Sequence, residues 1–316
     1  MQYVQLGRTG ARVSELCLGC MNFGGATPEA ESIQIIHRAL DAGINFVDTA
    51  NVYSRGVSES IVGKALAGRR DQVVLATKVH GRMGDGPNER GNSRLHIMRE
   101  VENSLRRLQT DHIDLYQIHR PENETTIEET LGALDDLIRQ GKVRYIGCST
   151  FAAWQIVESL WTADARRLAR FDCEQPPYSL FVRAVENDVL KVTRKYGLGV
   201  IPWSPLAGGW LSGKYKAGAA LPEGSRGAKR NWDLTTESAQ KRLAALPKLE
   251  QIAAEAGKSL SQFALGWVLS HPAVTAPIIG PRTMEQLEDN LGAVGWTVTP
   301  EMRQAVDQVV PPGTNL

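Results

Sequence analysis

Cysteine is scarce in this sequence of 316 residues: there are four, at positions 17, 20, 148 and 173. That is too few to staple a chain of this size, so a disulfide scaffold is excluded and an apolar core has to hold the fold. Cys17 and Cys20 form a Cys-x-x-Cys, but no second pair or nearby histidine completes a zinc set. Positions i and i+3 on a strand also face opposite sides. Net charge is nearly missing as well. The 36 Lys and Arg stand against 35 Asp and Glu, a balance of +1. Neither nucleic acid nor an anionic membrane finds an electrostatic reason to bind. No apolar run approaches the roughly 18 residues of a membrane helix. The opening Met-Gln-Tyr-Val-Gln-Leu-Gly-Arg holds no apolar stretch of the secretory kind. With 42% hydrophobic residues the chain can bury a large core, so disorder fails as a description of the whole. The expectation is a cytoplasmic globular protein.

What is present is alternation. Short apolar or β-branched runs occur at 15–19, 45–48, 73–78, 113–119, 145–149, 172–175, 199–203 and 276–280. Between them lie longer stretches with apolar spacing of three and four, such as Ile33, Ile36, Leu40 or Val101, Leu105, Leu108 or Leu131, Leu134, Leu137, Ile138. Eight strand–helix units predict one (β/α)8 TIM barrel, a single domain over residues 1–316. An open doubly wound sheet is the rival. No Pro/Ser-rich linker or charge block divides the chain. Residues 2–16 read as a β-hairpin around Gly7-Arg8-Thr9-Gly10, placed to close the lower end of the barrel. The stretch from Pro205 to Thr236 is rich in Gly, Lys and Arg and lacks a period. It reads as a long loop after strand 7, on the side where barrels carry their active sites.

Three consecutive strand candidates end in an ionisable group: Asp48, Lys78 and His119. Alternation gives Asp48 the direction of Phe46, Lys78 that of Val74 and Ala76, and His119 that of Leu115, so all three point inward at the barrel top. Tyr53 follows Asp48 closely enough to fold its phenol over the mouth. Two readings fit this spacing. One is a buried Asp48–Lys78 ion pair with a core histidine. The other is a site that polarises and protonates C=O. There Lys78 lowers the phenol pKa from its ordinary value of about 10, Asp48 holds the ammonium, neutral His119 orients the carbonyl, and Tyr53 is the general acid. No side chain transfers hydride, so reduction requires a nicotinamide or flavin. Neither a Gly-x-Gly-x-x-Gly fingerprint nor a Walker loop is present, and spacing by itself names no cofactor. A Schiff base on Lys78, as in aldolases, stays open. His37, His80, His96, His112 and His271 share no ligand spacing and read as surface or cap residues. Cys148 and Cys173 read as small core residues. No metal site is expected.

The blocks around these residues resemble the aldo-keto reductase superfamily over nearly the whole chain. Phe46-Val47-Asp48-Thr49-Ala50-Asn51-Val52-Tyr53, continuing to Ser58-Glu59, resembles its Asp/Tyr motif. Leu75-Ala76-Thr77-Lys78-Val79 resembles its lysine motif, and Asp114-Leu115-Tyr116-Gln117-Ile118-His119-Arg120-Pro121 its histidine motif. The resemblance implies a barrel that binds NADP(H) in extended form across its top and reduces a small aldehyde or ketone. It implies Tyr53 as acid, Lys78 and Asp48 as its tuning groups, and His119 as the carbonyl-orienting residue. Gly19, Cys20, Met21 and Asp48 fall among the implied cofactor contacts, Met21 standing where some members carry an aromatic. Ser149, Thr150 and Gln175 are implied at the nicotinamide amide, and Trp203 against the ring. Ser204, Pro205, Leu206, Gly208 and Lys214 belong to the segment implied to hold the pyrophosphate. Gly280, Arg282, Gln286, Asp289 and Asn290 form the adenosine end, with Arg282 at the 2′-phosphate and Asp289 and Asn290 at adenine. Arg282 and Lys214 favour NADP over NAD.

The long segment after strand 7 resembles the branch that includes potassium-channel β subunits and bacterial reductases. A cofactor-sensing regulatory subunit docked on another protein is therefore the alternative, against which His119 stands as a residue that catalysis needs. The same segment, with Lys214, Lys216, Arg226, Lys229 and Arg230, is expected to close over a pyrophosphate as a lid. Trp203, Trp210, Trp232, Phe23 and Tyr53 suggest an aromatic mouth. On oligomeric state the sequence casts no vote.

Overall fold

A computed structural model describes residues 1–316. A short hairpin comes first, β1 (Tyr3–Gln5) against β2 (Arg12–Ser14), with Val4 opposite Val13. Eight parallel strands follow: β3 (Cys17–Gly19), β4 (Phe46–Asp48), β5 (Val74–Val79), β6 (Ile113–Ile118), β7 (Val143–Ser149), β8 (Cys173–Gln175), β9 (Gly199–Val200) and β10 (Ile278–Ile279). Each pairs with its neighbour in chain order, and β10 pairs with β3. The circle closes where Thr275 N donates to Val200 O and Ile278 N to Pro202 O, both at 2.8 Å. The sheet is thus a barrel and not an open doubly wound sheet.

Several strands are shorter than the apolar runs predict. β9 stops before Pro202 and β10 begins after Pro277, and proline has no N–H to give a ladder. Alternation sorts the side chains as expected. Cys17, Phe46, Ala76, Leu115, Cys173, Ile201 and Ile278 fill the interior. Leu18, Val47, Leu75, Tyr116 and Ile146 face the surrounding helices. Leu6 and Val13 of the hairpin are buried in the interior cluster, so the hairpin does plug the lower end.

The predicted apolar stripes become the helices Glu29–Asp41, Arg94–Leu108 and Ile127–Arg139. The caps are legible: Ser93 accepts from His96 N and Thr126 from Glu129 N. His96 is a correction. Expected at the surface, it is wholly buried, because positions 96, 97, 100, 101, 104, 105 and 108 make up the inward face of its helix. Besides a short helix in the loop after β9, two helices exceed the eightfold plan, Glu237–Glu255 and Pro300–Val309, and they pack on each other. No helix is long and apolar enough to cross a membrane.

The stretch after β9 is built, not shapeless. Its Ala207–Ser212 turn and short helix Arg226–Lys229 carry their own aromatic core. Trp210 and Trp232 stack at 5.3 Å with their planes 6° apart, and Tyr215 accepts from Gly227 N at 3.2 Å. Trp210, Leu211 and Tyr215 are buried.

Candidate active site

The inward parity of β4, β5 and β6 brings the charged strand ends together. Lys78 Nζ has three hydrogens and three acceptors: Asp48 Oδ1 at 2.5 Å, Thr49 O at 2.7 Å and the Tyr53 hydroxyl oxygen at 3.2 Å. Asp48 Oδ2 accepts from Gln117 Nε2 at 3.1 Å and Gln175 Nε2 at 3.2 Å. The His119 ring meets the Tyr53 ring edge-on, centroids 5.6 Å apart. Tyr53 and His119 both face one cleft, whereas Lys78 is sealed behind them with no exposed surface.

Electrostatics corrects one expectation. Burial raises the Tyr53 phenol pKa, and the opposing pull of Lys78 does not cancel it. The ammonium was expected to bring that pKa down; desolvation of a phenolate in this pocket is the larger effect. The phenol therefore keeps its proton. Lys78 goes the other way round: burial depresses its pKa, but Asp48 and then Tyr53 lift it above the ordinary lysine value. His119 is driven to about 2, first by burial and then by Lys78, Arg120 and His80, so its imidazole is neutral.

The turn that presents Tyr53 is strained. Ser54 and Arg55 have φ of 48° and 54°, a conformation L-residues avoid, and Gly56 follows at 92°. Such residues cost on the order of 1–3 kcal/mol each and persist only where surroundings hold them. Beneath the turn lies a largely buried ion pair. Glu59 accepts from Thr77 Oγ1, beside Lys78, and from Arg107 Nε, both at 2.6 Å. The Arg107 chain lies so close beneath Gly56 that a Cβ there would meet its Cδ at 2.7 Å. Ser54 Oγ ties the same turn to Phe23 O at 3.3 Å.

The cleft has a volume of about 860 Å³ and runs from Tyr53 and His119 to Arg282 and Asn290. That is near the upper end of the roughly 300–1,000 Å³ usual for ligand sites, room for an extended ligand. Gly19, Met21, Asp48, Ser149, Gln175, Trp203, Ser204, Pro205, Leu206, Gly208, Lys214, Gly280, Arg282, Gln286, Asp289 and Asn290 all line it. Two expected contacts do not. Cys20 has the opposite parity to Gly19 and turns into the core between sheet and helices. Thr150 stands in left-handed backbone, φ 62°, with its hydroxyl bound by Arg120. Others are already engaged: Asp289 accepts from Ser259, Ser261 and Gln262, and Gln286 Oε1 from Arg282 N at 2.9 Å. Phe23 is fully buried, and Trp210 and Trp232 stack inside the loop, so the mouth is not the aromatic collar expected. Trp203 and Tyr53 remain there.

Sequence reasoning missed Asn22, Ser261 and Glu285 in the wall, and Gln117 behind it. Gln117 had a signal, since it shares strand register with Lys78. At the far end Lys214, Arg226, Arg230 and Arg282 converge without any carboxylate partner. Burial lowers the Lys214 pKa, and repulsion from Arg282 and Arg226 adds to it. Arg282 Nη1 reaches across to Gly224 O at 3.1 Å, tying the loop to the last barrel strand. Uncompensated cations in a deep cleft suit an anionic ligand such as a dinucleotide. Glu174, buried behind Gln175, accepts from Phe151 N at 3.3 Å, and its other oxygen has no partner.

The sequence profile of the aldo/keto reductase family matches residues 15–311. The chain belongs to the aldo/keto reductase family. It is 46% identical to an uncharacterized oxidoreductase, YrpG, of Bacillus subtilis (strain 168), over 98% of this chain and 96% of that one. A probable voltage-gated potassium channel subunit beta of Oryza sativa subsp. japonica is 40% identical over 98% and 97% of the two chains. Versiconal hemiacetal acetate reductase of Aspergillus parasiticus is 34% identical over 98% and 96%. Membership makes this aldo/keto reductase an oxidoreductase of a family that uses nicotinamide cofactors.

Proposed function

We propose that this chain reduces aldehydes or ketones to alcohols at the expense of NADPH, with Tyr53 as general acid. One observation carries the reading. Lys78 donates to the Tyr53 oxygen, so the phenol's own hydrogen is left to point into the cleft, beside a neutral imidazole. A carbonyl oxygen between Tyr53 and His119 receives a hydrogen bond from the imidazole N–H and the proton of the phenol. A nicotinamide held in this cleft would be the source of hydride for the carbonyl carbon. Lys78, held by Asp48, faces the phenolate that remains and stabilises it as it forms. Ser149, Gln175 and Trp203 are assigned to the nicotinamide, Lys214 and the Ser204–Gly208 backbone to the pyrophosphate, and Arg282 to the 2′-phosphate. The protein is placed in the cytoplasm, with a small carbonyl compound as its substrate.

The lyase alternative fits poorly. A Schiff base requires a neutral amine that reaches substrate. Lys78 is sealed from the cleft and holds its proton more tightly than an ordinary lysine. The sensor alternative uses the same cleft without turnover and is decided by assay. Tyr53→Phe should cut NADPH-dependent carbonyl reduction by roughly 10²–10⁴-fold while NADPH affinity stays near wild type. A variant with near wild-type turnover would refute the assignment of the acid. Wild-type protein that binds NADPH tightly but reduces no carbonyl in a broad screen would favour the sensor.

A further inference from the structure

The cations of the cleft fall into two groups. Lys214, Arg226, Arg230 and Arg282 crowd its far end, where they repel one another. Arg120 stands apart, next in sequence to His119 and lining the cleft with Tyr53 and Trp203. Its guanidinium carbon lies 5.6 Å from the centre of the Trp203 ring. Its two hydrogen bonds both leave from Nη1, one to His119 O at 3.3 Å and one to Thr150 Oγ1. Both acceptors are neutral. No carboxylate comes within ion-pair distance of this solvent-exposed side chain at the cleft rim, whereas Arg70, Arg107 and Arg183 elsewhere in the chain each have one. The remaining N–H groups of the fork, on Nη2 and Nε, are uncommitted. Its charge is nevertheless felt at both Tyr53 and His119.

A guanidinium anchored at one nitrogen and laid against an indole is oriented before any ligand arrives, so little freedom is lost when it binds. Its free edge matches the paired oxygens of a carboxylate or a phosphate. We infer that Arg120 selects the substrate: the carbonyl compounds this site prefers carry an anionic oxygen group, a carboxylate or phosphate, away from the C=O. The inference rests on the carbonyl-reductase reading above and names its substrate class. The anionic group takes no part in the chemistry. Hydride goes to the carbonyl carbon, the Tyr53 proton to its oxygen, and the charged group leaves unchanged.

The test compares matched substrates that differ only in charge. One pair is 3-carboxybenzaldehyde and its methyl ester; the other is glyceraldehyde 3-phosphate and glyceraldehyde. Wild-type enzyme should favour the charged member of at least one pair in kcat/KM, and the pair that responds tells carboxylate from phosphate. In Arg120→Met that preference should fall roughly 10- to 100-fold, the size expected of a lost charge-assisted hydrogen bond, mainly through KM. Arg120→Lys should keep part of it, having charge without the fork. Thr150→Val separates selection from scaffolding, because loss of the anchor alone should depress both members alike. An unchanged charged-to-neutral ratio in Arg120→Met overturns the inference. A second readout needs no turnover: quenching of tryptophan fluorescence by isophthalate in the NADP⁺-loaded protein should saturate in wild type and weaken at least tenfold in Arg120→Met. If no carbonyl is reduced at all, the reductase reading fails, and that titration still decides whether Arg120 holds an anion.

Discussion

Glu174 offers a sharp test of the electrostatics beneath the site. Its carboxyl is wholly buried on β8, one residue before Gln175, with a long hydrogen bond from Phe151 N and one oxygen unpartnered. Burial, opposed only in part by Cys148 and neighbouring backbone N–H groups, lifts its pKa from 4.5 to about 8. The sign follows from proton binding. Below pH 4.5 both folded and unfolded chains hold the proton, and the group is indifferent. Above it the unfolded carboxyl ionises while the folded one stays protonated, so stability is lost as pH rises, until the folded group ionises near 8. At about 1.4 kcal/mol per pH unit the loss reaches about 5 kcal/mol by pH 8, an upper figure because local relaxation and water entry reduce it. Glu174→Gln keeps the shape and the acceptor for Phe151 N but cannot ionise. Its amide nitrogen takes the place of the unpartnered oxygen, a pH-independent cost of roughly 1–3 kcal/mol. The variant should therefore be weaker than wild type at pH 5 and gain steadily on it, by several kcal/mol, up to pH 8. Urea midpoints followed by circular dichroism at four pH values measure this. Parallel curves for the two proteins from pH 5 to 8 would mean that the carboxyl is ionised throughout, and the reasoning would fail.

Three further outcomes are expected. Arg282→Ala should weaken NADPH binding by about 1.5–3 kcal/mol and leave NADH nearly untouched, as read by fluorescence titration; equal losses would show that Arg282 does not meet the 2′-phosphate. Shortening residues 216–230 removes Arg226 and the Gly224 oxygen that Arg282 grips. It should speed NADP⁺ release roughly tenfold or more in stopped flow, with single-turnover hydride transfer less affected, and unchanged release in a folded variant would leave the segment without a lid role. His119, with its pKa pushed to about 2, should contribute no limb to the pH profile of reduction between pH 5 and 8. A limb near pH 6.5 that vanishes in His119→Asn would contradict a neutral imidazole.

Local periodicity decided much of this protein. Alternation along β4, β5 and β6 was enough to aim Asp48, Lys78 and His119 at one point, because side chains on a strand leave little choice of face. The order of motifs along the chain likewise carried the family, and the barrel followed from eight repeating units. Strand lengths were less legible, although Pro202 and Pro277 were there to be read. Only the tertiary structure decided the rest. The direction of the Tyr53 pKa depends on how much water the fold removes from the phenol, a sum over many residues that no neighbour in sequence reveals. Cys20 and Thr150 sit inside matching motifs yet do not line the cleft, one by parity and one in left-handed backbone with its hydroxyl held by Arg120. Trp210 and Trp232, counted as mouth by composition, found each other across the loop instead. Gln117 behind Asp48 and Arg107 beneath Gly56 come from distant strands and helices. Periodicity fixes a direction, but which groups meet, and how dry the meeting place is, arises only when the barrel closes.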